Sequence, residues 1–399
     1  MTEATAATQV HRDPRVTLWA LSAGNFMVGI AAFVVLGLMS TITRSLALEP
    51  GESARLVTYY AVAYAIGSPM LIASTGRLPR RLIVSGAMML VGLGSLGCAL
   101  APSLIWMEAA RVVTAFGGGL YSPATAAIAV SLVRPERRGR ALSQVFMGFT
   151  AAQGIGNPIG AWLGYNFGWQ AAFLVVGVLS LLMAGGLWRM IPTDIAFRPT
   201  SLAELARILR TPHLLMALLF TVFFVSGSYT TLTFLTTILE TRLGLSGNGV
   251  SIFLALYGGM SFIAAVVGGV FADKIGASRA LLFFCAALSI LMPLVTQGPV
   301  EPLPAACIVG AWSLFSWSHF TAQQSRLVAI EPPLAQLLLA LNSSMLYVGI
   351  ACGSLLAAHL LPIPEFTGIA IGATMQVAIA VVVLLLGDRV VARHQARKQ

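Results

Sequence analysis

Residues Ser143 to Gly164 read SQVFMGFTAAQGIGNPIGAWLG, and small side chains recur there every fourth position, at Gly148, Ala152, Gly156, Gly160 and Gly164. On a helix this spacing draws one flat stripe along a single face. A stripe without side chains lets a second backbone come close, which is how helices associate in lipid. Pro158 interrupts the run and predicts a bend. Taken alone, the stretch reads as a packing face between membrane helices.

The surrounding composition agrees. Of 399 residues, 57% are hydrophobic and 10% charged, with a mean hydropathy of +0.86. A soluble domain of this length has no use for so much apolar surface. Apolar runs of spanning length fall at 16–41, 56–74, 82–101, 104–130, 141–163 and 171–191, then at 214–239, 250–272, 279–296, 304–325, 334–361 and 366–386. Helix is the reading for each, because lipid satisfies no open backbone group. The expected fold is an all-α membrane protein with twelve transmembrane helices in two six-helix bundles. The expected divisions are an N-terminal tail (1–15), a first bundle (16–191), a linker (192–213), a second bundle (214–387) and a basic tail (388–399). Within the linker, SLAELARILRTP has helical apolar spacing. It suits an amphipathic helix on the membrane surface or a soluble connecting helix.

The net charge of +10 does not make a nucleic-acid surface, since the basic residues lie in short clusters between apolar runs. Those clusters fall on alternate connections. Counting from a cytoplasmic N-terminus, the opposite connections hold only Arg44, Arg55 and Arg242. The asymmetry predicts both termini in the cytoplasm. The first apolar run has no cleavage pattern of a signal peptide. The near-exclusive use of arginine over lysine (only Lys274 and Lys398) points to a GC-rich bacterial genome and no more; the expected location is the bacterial inner membrane. Cys98, Cys285, Cys307 and Cys352 sit inside apolar runs and read as small buried residues. No phosphate loop, paired catalytic carboxylates or metal-ligand spacing appears, so no enzyme, cofactor or metal is expected.

The stretch GIGNPIGAWLG, followed by NFGWQAAF, resembles the antiporter motif on helix 5 of the major facilitator superfamily, with Asn157-Pro158 in place of the usual Gly-Pro. RPERRGRALS (134–143) is similar to that superfamily's loop between helices 4 and 5. The resemblance implies that the Gly-Pro-rich segment packs against helix 8 or 11. GVFADKIGASR (269–279) resembles the superfamily's loop signature in its second copy, with Asp273, Gly276 and Arg279 in place. In the first copy, Arg77, Arg80 and Arg81 match, but Gly76 stands where the Asp is expected and Pro79 where the Gly is. The signature implies a carboxylate clasp at a tight cytoplasmic turn, weakened in the first half by Gly76 and available from Asp273 in the second. The three arginines would equally serve as positive-inside anchors. The first two spans look like those of the arabinose-efflux-permease-like drug:proton antiporters. Those relatives typically carry Gly-Thr-Asp-Glu-Phe in helix 1, where this chain has Gly29-Ile30-Ala31-Ala32-Phe33.

Polar residues inside spans are costly and mark functional candidates. Glu108 and Arg111 lie three apart on span 4, where Arg111 matches the arginine of the superfamily's helix-4 motif; Glu108 is expected to neutralise Arg111. On span 10, Trp312, Ser316, His319, Gln323 and Arg326 share one face. His319 could titrate near neutral pH or sit neutral and hydrogen-bonded in the bundle. Asn25, Tyr64, Tyr229 and Asn342 complete the candidates for solute binding or coupling. The expected activity is secondary transport of a small organic solute, in the efflux direction, by a monomer working through alternating access, with protons as the candidate coupling ion. A facilitator or importer without obligatory coupling is the second reading, suggested by Ala31-Ala32. A membrane sensor or scaffold is the third.

Overall fold

The computed structural model describes residues 14–49, 51–75, 78–134, 137–191 and 202–396, and within them two helical bundles are joined by a short linker helix. The first bundle comprises α1 (Pro14–Ser45), α2 (Arg55–Thr75), α3 (Arg80–Ala99), α4 (Leu104–Ser131), α5 (Arg138–Phe167) and α6 (Trp169–Met190). The linker helix is α7 (Leu202–Leu209). The second bundle holds α8 (Pro212–Leu232) and α9 (Leu235–Leu243), which together make one broken span. It continues with α10 (Gly247–Ile275), α11 (Ala277–Gln297), α12 (Pro302–Ile330), α13 (Ala335–Leu360) and α14 (Thr367–Ala396). This is an all-α membrane fold of twelve spans.

Among the described residues, ten helical segments are long and apolar enough to cross a membrane by composition. The other two spans, α5 and α12, have the length, 30 and 29 residues, but not the hydropathy. They carry the glycine stripe and the polar stripe. Helices shielded by neighbours can be this polar; helices facing lipid cannot. The twelve residues from 388 were expected to be a tail, but α14 runs on through Ala396.

Four helices contain an internal proline, including Pro158 in α5. The α10–α11 turn is made by Gly276 alone, at φ +86°, a conformation that side chains rarely adopt. Within α7, Ile208 is buried and packs with Leu205 and Leu209 against Leu214, Leu327 and Leu338 of the second bundle, while Arg207 and Arg210 are exposed. The apolar face of this linker helix is therefore covered by protein.

The glycine stripe packs inside its own half. Gly148 lies against Ser22, Ala152 against Gly29, Gly156 against Ile30 and Phe33, Gly160 against Val34 and Gly164 against Leu38, all on α1. The stripe's own partner is thus α1, while the Gly-Pro-rich segment does reach helix 8, which is α10, as the resemblance implied. Contact with the other half comes from a different face of α5, where Gly154 meets Gly258 and Phe262 of α10. A Cβ on Gly258 would run into the Gly154 carbonyl, so the two backbones touch only because both positions are glycine.

The two membrane faces differ. The face holding the described ends of α1 and α14 is called the terminal face; the other is the opposite face. From the middle of the molecule to the opposite face, the halves are joined. Tyr64 of α2 stacks on Tyr347 of α13 with ring centroids 3.7 Å apart. Further out, the Thr58 and Ser354 hydroxyls lie 2.8 Å apart. At the rim, Glu240 of α9 accepts hydrogen bonds from Ser40 (3.0 Å), Arg44 (3.3 Å) and Tyr165 of the first half. On the terminal face Asp273 and Arg279 are exposed, and neither forms an ion pair among the described residues. The expected Asp273 clasp is thus open in this conformation.

Candidate functional site

Between the halves, at mid-depth, lies a cluster of five of the chain's eight tyrosines. Tyr60 and Tyr64 come from α2, Tyr229 from the end of α8, Tyr257 from α10 and Tyr347 from α13; all five are buried. Four of the helices bring aromatic rings to one place because each has a buried face there and small residues nearby. Trp312 of α12 packs on Tyr257, 5.1 Å between centroids, and the Trp317 indole donates to the Tyr257 hydroxyl. A small cavity is lined by Ser228, Tyr229, Tyr257, Ser316 and His319.

Several polar atoms in this region have no hydrogen-bond partner: the Tyr60 and Tyr229 hydroxyls, Trp312 Nε1 and His319 Nε2. Buried polar groups are normally satisfied, so a cluster of unsatisfied ones marks space for water or a polar ligand. The chain also breaks here: α8 ends at Leu232 and α9 begins at Leu235. Broken helices at mid-membrane are a recurring feature of transporter sites.

Arg111 closes the cluster on the α4 side and is 1% exposed. Its guanidinium lies 4.1 Å from the Tyr60 ring centroid and donates to the carbonyls of Ala31 (2.5 Å), Ala32 (3.1 Å) and Leu56 (3.3 Å). It does not pair with Glu108, contrary to expectation. Glu108 faces the opposite rim and bonds Arg55 at 2.8 Å. Three residues' separation put the two on neighbouring positions of α4, but each found a better partner on another helix. Arg111 instead spans the backbone at Ala31-Ala32, where the antiporters that this chain resembles carry acids.

His319 is buried against Phe224, 4.2 Å between ring centroids, with Nδ1 at the Ser316 carbonyl. No carboxylate contacts it among the described residues. Ser316 donates to Ser228 at 2.9 Å.

The remaining candidates lie away from the centre. Asn25 donates to Thr125 at 3.0 Å and accepts from Ser122 at 2.8 Å, tying α1 to α4. Thr221 of α8 donates to Asn342 at 2.6 Å, and Gln323 donates to Thr221 and to the Ala217 carbonyl. These two nets join the first, fourth and fifth spans of each half, so the internal repeat is visible in its polar ties. Arg326 bonds Asp388 at 2.7 Å and fixes α12 to α14. Arg81 donates to the Ile191 carbonyl at 3.0 Å and lies over Trp188, so it anchors α3 to α6 within one half. Arg80 is buried nearby; Arg77 lies outside the described residues. Gly156, Pro158 and Gly160 belong to the α1–α5 contact, not to the centre. Of the cysteines, Cys98 and Cys285 are buried, while Cys307 and Cys352 are exposed, unlike the sequence reading.

Sequence reading missed Tyr60, Tyr257, Tyr347 and the rim acceptor Glu240. The i, i+4 pair Tyr60–Tyr64 was a usable signal; Glu240 gave none, since its partners are about 75 to 200 residues distant in sequence.

The family model for the Major Facilitator Superfamily matches residues 21–333. An uncharacterised MFS-type transporter of Bacillus subtilis, YbcL, is 28% identical over 340 residues, covering 84% of this chain and 86% of the relative. The inner membrane transport protein YdhP of Escherichia coli is 26% identical over 340 residues, with the same coverage of 84% and 86%. Among solved structures, a bacterial homolog of the human lysosomal transporter Spinster, inward-facing and unoccupied, superposes with a TM-score of 0.75 at 18% identity, covering 94% of this chain and 95% of that one. A peptide transporter superposes with a TM-score of 0.74 at 14% identity, covering 94% of each chain.

Proposed function

This chain belongs to the Major Facilitator Superfamily, a family of transporters and not of enzymes, and from that premise we propose that it exports a small organic solute across a bacterial inner membrane by alternating access. The observation that carries the reading is the cluster of unsatisfied polar atoms among aromatic rings, midway between two halves that are tied at the opposite face. The terminal face, rich in basic residues, is the cytoplasmic one. The conformation is then closed to the outside, ready to take solute from the cytoplasm. The solute is amphipathic, with a face for aromatic rings and groups for hydroxyl, indole and imidazole partners. Arg111 is engaged by three carbonyls and is a fixed part of the wall. The transporter works as a monomer.

Coupling to protons runs through His319, the histidine that lines the central cavity. A second reading, an uncoupled facilitator, is favoured by one observation: no described carboxylate lines the central cavity. Solute accumulation in inverted vesicles with and without a pH gradient separates the two. Export with coupling requires accumulation that collapses with the gradient. Equal flux in both conditions would establish the facilitator.

A further inference from the structure

At the terminal end of the second half, three residues from distant parts of the chain meet. His213 is the second residue of α8, Glu331 follows the last turn of α12, and His394 lies in the last turn of α14. Each offers a ligand atom, and the three atoms lie within 4.8 Å of one another. The imidazoles of His213 and His394 stack with centroids 4.0 Å apart. His213 is 6% exposed and Glu331 is only partly exposed.

The spacing fits an ion better than a direct contact. His213 Nε2 and Glu331 Oε2 are 3.9 Å apart, beyond hydrogen-bonding range. Two ligands about 2.1 Å from a tetrahedral zinc ion stand about 3.4 Å from each other. Closing the cluster onto an ion needs a shift of a few tenths of an ångström between these two and a rotation of the His394 ring out of the stack. His394 sits half-exposed near the end of a helix, where such a rotation is easy. Two imidazoles and one carboxylate form a donor set for zinc and similar divalent transition metals, not for magnesium or calcium, which prefer oxygen.

We propose that His213, Glu331 and His394 form a binding site for a divalent transition-metal ion of the zinc class, which staples α8, α12 and α14 together at the terminal face. The site is separate from the central cluster and does not depend on the transport reading. One consequence is structural: the bound ion fixes the end of α12, the helix that carries His319 and Gln323, beside the Arg326–Asp388 pair.

The test uses the full-length protein in detergent without a histidine tag. Zinc chloride titrated calorimetrically should bind at one equivalent per chain and raise the thermal midpoint, because a ligand selective for the folded state stabilises it. Magnesium should do neither. His394→Ala, which changes a half-exposed residue and leaves the bundle intact, should weaken zinc binding at least tenfold, and Glu331→Gln should weaken it as well. Cobalt(II) should give the intense visible bands of a tetrahedral site in the wild type and not in His394→Ala. Absence of one-equivalent zinc binding by the wild type, or identical binding by His394→Ala, would overturn the proposal.

Discussion

Arg111 shows how one side chain can hold a membrane bundle together. Its planar fork reaches three carbonyls on two helices. Lysine retains the charge but cannot present that fork. Arg111→Lys should therefore insert and fold, with a lower thermal midpoint and transport reduced at least tenfold. Arg111→Ala should be worse, because it removes all three hydrogen bonds and leaves a cavity beside the Tyr60 ring. Thermal unfolding and flux on the same preparations check both. For His319, the test is substitution by glutamine, which keeps a hydrogen-bonding group but cannot titrate. His319→Gln should retain solute binding, seen as ligand-induced thermal stabilisation, while flattening the dependence of flux on pH. A steep, unchanged profile in this variant would remove His319 from coupling. The sequence made Arg111, Tyr64, Tyr229 and His319 legible because polar or aromatic residues at mid-span are conspicuous. It could not show which partner each one finds. Glu108 and Arg111 look like a pair along α4, yet Arg55 and the α1 backbone compete more effectively from other helices.

Among the helices, α5 carries two different interfaces. Its Gly148–Gly164 stripe is buried against α1 within a half, and its Gly154 face touches Gly258 across the halves. These should respond differently to bulk. At Gly160 a Cβ would stand 2.6 Å from the Val34 carbonyl oxygen, and that contact is internal to the first bundle. Gly160→Leu should cost folded protein, read as loss of the monodisperse peak in size-exclusion chromatography. Gly258→Val should leave each bundle intact but hold the two halves apart. It should purify normally and fail to transport. Equal flux in Gly258→Val and wild type would show that the crossing is not needed for function. The stripe was evident from its spacing, and so was its role as a packing face. The partner was not, because every helix of such a fold offers some small residues. The same limit applies to α12, whose polar face was legible as buried while its ties to Asp388 and Thr221 were not.

For the whole molecule, topology follows from charge: a reporter fused after Gln399 should be active only when it is a cytoplasmic one, and periplasmic activity would invert the account. The larger claim is that the halves separate at the opposite face during each cycle, having been held there by Tyr64–Tyr347, Thr58–Ser354 and the Glu240 cluster. Glu240→Gln removes the charge that Arg44 faces and should raise the population open at that face, measured as faster labelling of Tyr165→Cys by an impermeant maleimide added outside. The number of spans and the two-bundle division could be read from hydropathy and basic clusters alone. Which face is closed could not, since that depends on contacts between residues hundreds of positions apart. The most direct measurement is a reversible cross-link. Thr58→Cys with Ser354→Cys, in a background where Cys307 and Cys352 are serine, places two thiols where hydroxyls now lie 2.8 Å apart. Flux would be followed with whichever solute gives the largest thermal stabilisation in a panel of metabolites and antibiotics. Alternating access predicts that oxidation forms the disulfide and reduces flux to background, and that a reductant restores it. Full transport by protein shown to be quantitatively cross-linked would contradict it.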